Sequence, residues 1–123
     1  MSTTQQTEDQ LQTQLADLLA MLGKGQFLEA QTKYLADDVV LQEGNDAPKK
    51  GKALVMEAES KLLDTVTEFR GYTVTSSAVA GDKTFYEGVM EFVTDGTNVV
   101  KVEQVVVDTW KDGQIVHERF YHA

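Results

Sequence analysis

The chain contains no cysteine and only one proline in 123 residues. Disulfides, thiolate nucleophiles and cysteine-ligated zinc are therefore excluded. Basic residues are also scarce. Eleven against 20 acidic residues leave a formal net charge of -9, and no basic run exceeds Lys49-Lys50. Such a surface repels phosphate backbones and anionic headgroups, so neither nucleic acid nor membrane is expected as a partner. Met1 to Gln6 shows no basic region followed by an apolar run, so no leader or anchor is read there and a cytoplasmic location is expected. Gly-rich phosphate loops, serine elbows and carboxylate-rich calcium loops are missing, and Asp82, Asp95 and Asp112 read as turn residues. His117 and His122 are five apart, so on one regular strand they face opposite sides and cannot share a metal. Neither metal nor cofactor is expected.

What is present reads as one domain over 8–123 behind a disordered polar tail of residues 1–7. Leu11, Leu15, Leu18 and Leu22 line one stripe of a helix, opened by a capping box of Thr7 and Gln10. Gly23-Lys24-Gly25 stops that helix, and Phe27, Ala30 and Tyr34 begin a second. Val39 to Glu43 is a short strand, followed by a loop holding the proline. Leu54, Ala58, Leu62 and Val66, widened by Val55 and Leu63, predict a third helix. From Phe69 the period becomes two, and Gly81-Asp82, Asp95-Gly96 and Asp112-Gly113 divide the remainder into four antiparallel strands. The order is α-α-β-α-β-β-β-β, an α+β chain with helices on one sheet face.

Two-residue hairpin loops would fix which side chains share a face. Counting out from Asp95-Gly96 sets Phe92 against Val99, Met90 against Lys101 and Tyr86 against Val105. Counting out from Asp112-Gly113 sets Thr109 against Val116, Val107 against Glu118, Val105 against Phe120 and Glu103 against His122. The opposite face then holds Phe85, Val89, Val102, Val106, Trp110, Ile115 and Tyr121, with His117 opposite Asp108. Three helices can cover only one face. A homodimer through the face bearing Trp110 and Tyr121 is expected to cover the other.

The element order, the segment Leu35 to Leu41 (LADDVVL) and the ending Trp110 to Tyr121 (WKDGQIVHERFY) resemble the SnoaL-like branch of the nuclear-transport-factor-two-like superfamily. The likeness runs over roughly residues 8 to 122 and implies a cone: three N-terminal helices packed in a curved, mostly antiparallel sheet, forming an α+β barrel with a pocket open at one end. Members include polyketide cyclases, ketosteroid isomerase, limonene-epoxide hydrolase, dehydratases and non-catalytic association domains. Matched to the isomerases, Glu43 falls where they keep the proton-abstracting aspartate. Leu18 falls on their oxyanion tyrosine, and Val107 on the protonated aspartate that completes the oxyanion hole. Both donors are missing, so steroid isomerisation is not expected. Asp108 lies beside the second position but points to the opposite face unless a β-bulge intervenes.

The same matching makes the face with Val107 and Glu118 the concave one. Glu43 and Glu118 are then the candidate acid or base residues. Tyr86, Met90, Phe92, Glu103, Val105, Val107, Thr109, Phe120 and His122 are the candidate pocket wall. Plainer readings stand beside these: Glu103 with His122 as a cross-strand ion pair, Glu43 as a solvated strand end, and Glu118 as a partner for a helix terminus. Functionally, the pattern points to a small largely apolar ligand, with cofactor-independent isomerisation, cyclisation or dehydration if the protein is catalytic. The alternative is a non-catalytic dimeric ligand carrier or a protein association module.

Overall fold

A computed structural model describes residues 7–122. The elements are α1 (Glu8–Gly23), α2 (Phe27–Tyr34), β1 (Leu35–Glu43), β2 (Lys49–Lys50), α3 (Lys52–Asp64), β3 (Val66–Ala80), β4 (Lys83–Thr94), β5 (Asn98–Lys111) and β6 (Gln114–His122). The three helices cover one side of an open mixed sheet of order β2-β1-β6-β5-β4-β3. This matches the expected α+β arrangement, with β2 an addition too short to show a period.

Helix α1 starts as its sequence dictates. The Thr7 hydroxyl accepts from the Gln10 amide at 3.1 Å, and the Gln10 side chain accepts from the Thr7 amide at 2.9 Å. Thr7 thus belongs to the fold and not to the expected tail, whose other members, residues 1–6, lie outside the described residues. Leu11, Leu15, Leu18 and Leu22 are all buried, each contributing roughly 2 kcal/mol of hydrophobic stabilisation. Helix α3 differs from its expected stripe. Leu54 and Leu62 are 49% and 47% exposed, Val66 opens β3, and Val55 alone is buried against the core. Seated over the rim of the sheet, α3 has one flank on β1 and the other above a cavity.

Strand β1 pairs parallel with β6, the one parallel pairing in the sheet, so Glu43 at its end lies opposite Phe120. Strand β3 shifts register with β4 at three places, and these irregularities let a 15-residue strand curl around the helices. Gly88 on β4 makes the curl possible. A Cβ there would stand 2.5 Å from Cε1 of Tyr72, which packs directly over the glycine.

The hairpin registers decide the inner face. At Asp112-Gly113 both residues have positive φ and Lys111 pairs with Gln114, the expected two-residue loop. At Asp95-Gly96 the φ values are also positive, but Thr97 is carried as an extra residue and Thr94 pairs with Asn98. That one-residue slip turns β5 over relative to β4. A second irregularity lies in β6. Trp110 pairs with Ile115 and Thr109 with His117, leaving Val116 bulged without a partner. The inner face therefore gathers Tyr86, Met90, Phe92, Val102, Gln104, Val106, Asp108, Trp110, Ile115, Glu118, Phe120 and His122.

Trp110, expected on the dimer face beside Tyr121, is instead in the core. It is 3% exposed, packs edge-on against Tyr34, and its indole N–H donates to the buried Thr84 hydroxyl at 2.9 Å. The ladder has turned it inward, whereas Tyr121 remains on the outer face with Val99 and Val105.

Candidate functional site

Between the helices and the inner face lies a cavity of about 210 Å³. Leu18 and Leu22 of α1 and Phe27 and Ala30 of α2 close one side, Tyr86, Met90, Phe92 and Val102 the other. Its polar lining comes from Gln31, Glu43, Glu59, Gln104, Glu118 and His122, together with the hydroxyl of Tyr72. A mostly apolar cavity with a few converging polar groups has the form of a small-molecule site.

The deepest polar feature is a pair of carboxyls. Asp108 and Glu118 are cross-strand partners on β5 and β6, 0% and 7% exposed. Glu118 reaches the cavity wall and Asp108 lies behind it. Neither oxygen of Asp108 receives an N–H or a hydroxyl among the described residues, and what faces it is the Glu118 carboxyl. Two carboxylates cannot sit there both ionised. Sharing one proton satisfies the pair, with Asp108 donating to Glu118. Burial first, then the charge of Glu118, holds Asp108 protonated well above the usual carboxylate range. Glu118 is also pushed up, again mainly by burial, opposed by the hydrogen bond with Asp108 and assisted by the charge of Glu43.

Nearer the mouth, the His122 ring and Glu43 form a pair with Nε2 2.6 Å from Oε2, both about 40% exposed. Glu59, projecting from α3, is raised by burial and then by the charges of Glu118 and Glu43. Gln104 donates to the Tyr72 hydroxyl at 2.9 Å, and burial lifts that phenol to about 12. Tyr86 is pushed further up by burial and by the nearby Asp108 and Glu118.

Of the residues expected from sequence, Glu43, Glu118, Tyr86, Met90, Phe92, Phe120 and His122 do line the cavity. Glu103, Val105, Val107 and Thr109 do not. The Thr97 slip turns all four to the outer face, and Glu103 loses the expected pairing with His122, whose register partner is Gln104. Asp108 likewise leaves its expected place opposite His117, which pairs with Thr109 on the outside. The sequence reading missed Asp108, Gln104, Val102 and Glu59. A signal for the first three was available. Lys101 and Glu103 alternate on β5 with Val102 and Gln104, and two full charges on one face mark it as the solvated one. Nothing local marks Glu59, which follows Ala58 in a helix with charges on several sides.

The model of a family described as a SnoaL-like domain matches residues 6–122. Among solved structures the chain is similar to a putative SnoaL-like polyketide cyclase from Mesorhizobium loti. The identity is 26%, the coverage 90% of this chain and 97% of that one, and the TM-score 0.76. An LEH-like epoxide hydrolase from M. tuberculosis matches at 16% identity, 90% and 80% coverage and TM-score 0.73. A ketosteroid isomerase-like protein from Catenulispora acidiphila, solved with trimethylamine, matches at 16% identity, 78% and 74% coverage and TM-score 0.66. These last two share the fold with this chain. No curated protein matches it in sequence. Among the described residues no helix is long and apolar enough to cross a membrane.

Proposed function

We propose, from the premise that the chain belongs to the SnoaL-like domain family, that its cavity binds a small, largely apolar molecule on which the Glu118 and Asp108 pair moves a proton without a cofactor. The observation that carries this reading is the placement of Glu118: 7% exposed, on the cavity wall, backed by a fully buried second carboxyl. A carboxyl raised by burial exchanges its proton near neutral pH far more readily than one in water, which is what general acid or base work needs. Asp108 has no access to the cavity and acts through Glu118. As a proton donor it supports the Glu118 carboxylate, and as Glu118 takes up a proton from the ligand that hydrogen bond relaxes. Glu43 and His122, half open at the mouth, provide a route for the proton to and from water. Isomerisation, cyclisation and dehydration all fit such a group.

Parallel purification of wild type, Glu118→Gln and Glu87→Gln tests this. Glu87 is exposed on the outer face of β4 and serves as the control. Mass spectrometry of extracts should find a small molecule retained by wild type and by E87Q but depleted in E118Q. Incubation of that molecule with wild type in D2O should then exchange a carbon-bound hydrogen. Equal retention in all three proteins removes Glu118 from the site, and retention without exchange leaves a carrier.

A second reading concerns the outer face. Val99, Val105 and Tyr121 are 52%, 36% and 44% exposed there. We propose that this face joins two copies of the chain.

A further inference from the structure

The charge balance of the cavity has no counterpart among its own lining residues. Three carboxyls, Glu43, Glu59 and Glu118, stand on its wall, and no lysine or arginine does. Among the described residues the one lining group able to carry positive charge is His122, half exposed and already engaged by Glu43. Lys49 borders only a neighbouring depression on the far side of Glu43 and Glu59. Among the described residues Glu59 has neither an ion pair nor a hydrogen bond, and after burial it is the charges of Glu118 and Glu43 that raise it. A second, independent feature points the same way. Phe27, Tyr72 and Phe120 turn aromatic surface to the same space, and aromatic faces attract cations.

From this geometry we infer that the occupant of the cavity is an organic ammonium ion: an apolar body with a protonated amine directed at Glu59 and Glu118 and flanked by the aromatic rings. An anion would meet three carboxyls with no compensating cation. A neutral apolar molecule would strip water from those carboxyls and give nothing back. Size sets the scale of the body. A cavity of about 150 Å³ holds benzene, so 210 Å³ holds a ring with a short amine arm. The inference rests on the reading of this cavity as a small-molecule site, and it specifies the charge of what enters.

Calorimetry at pH 7 with three probes of nearly equal size, benzylamine, benzyl alcohol and benzoate, separates the two. Benzylamine is expected to bind at least about ten-fold more tightly than benzyl alcohol, a difference of ~1.4 kcal/mol, with benzoate undetected. Glu59→Gln should bring benzylamine down toward the alcohol while leaving the alcohol unchanged, with Glu43→Gln as the second variant should E59Q fail to fold. Amine binding should also release protons, because a cation beside raised carboxyls favours their ionised form. Its apparent enthalpy should therefore vary with the ionisation enthalpy of the buffer. Benzyl alcohol or benzoate binding as tightly as benzylamine overturns the charge assignment and leaves the pocket standing. Absence of binding by all three at millimolar concentration overturns both.

Discussion

Replacement of Asp108 by asparagine gives the most direct physical test of the buried pair. Asparagine keeps the shape and can still donate an N–H to Glu118, so packing is preserved and only the titratable proton is lost. In the native protein Asp108 is 0% exposed and holds its proton well above the ordinary range, because burial and the charge of Glu118 both oppose ionisation. In the unfolded chain it ionises near pH ~3.9. Between these two points the native state binds one proton more than the unfolded state, so stability falls as pH rises, by at most about 1.4 kcal/mol per pH unit. From pH 5 to pH 7 the wild type should thus lose up to about 2.7 kcal/mol relative to D108N. Contributions from distant groups, such as Asp17, whose pKa is lowered by Lys33 and Tyr34, are common to both proteins and cancel in the difference. Urea unfolding followed by the fluorescence of buried Trp110 at pH 5, 6 and 7 supplies the numbers. A difference between the two proteins that stays flat within ~0.3 kcal/mol across that range would show Asp108 to be ionised in the native state. The shared-proton pair would then be wrong.

Two further outcomes follow from the fold. Gly88→Ala sets a Cβ 2.5 Å from the Tyr72 ring, and since that ring is tethered to Gln104 it should cost about 1–3 kcal/mol by overpacking and lower the melting temperature, whereas an unchanged melt would show the ring free to move. Sedimentation equilibrium should give a mass near twice 13.6 kDa, falling toward the single-chain value in Val105→Glu, and a wild type that is monomeric at micromolar concentration removes the outer-face dimer.

The elements were legible because they depend on local chemistry. The leucine spacing of α1, the Thr7 and Gln10 cap and the Asp-Gly turns each act within a few residues. The inner face was less legible, because side-chain direction in a sheet inverts with every unpaired residue. Thr97 and Val116 are two such residues, and nothing in either side chain announces the irregularity. Their effects cancel between β4 and β6, so Glu118, Phe120 and His122 reach the expected face. On β5, which lies between the two irregularities, nothing cancels. There Asp108 and Gln104 exchange places with Val107, Val105 and Glu103. Glu59 was out of reach for another reason: α3 lies over the cavity because of where β1 and the sheet rim hold it, a long-range outcome that helix periodicity cannot encode.

The parallel pairing of β1 with β6 also bears on how the molecule assembles. β6 follows every other element along the chain yet is inserted between β1 and β5, so that part of the sheet must wait for β6. Contacts of such long sequence separation form late and slowly. During biosynthesis the helices and the β3–β4–β5 meander can gather first, while Glu43 and Glu118 remain apart and hydrated. The mutual repulsion of the acidic wall is then imposed only at the closing step, when most of the apolar surface that can offset it has already been removed from water.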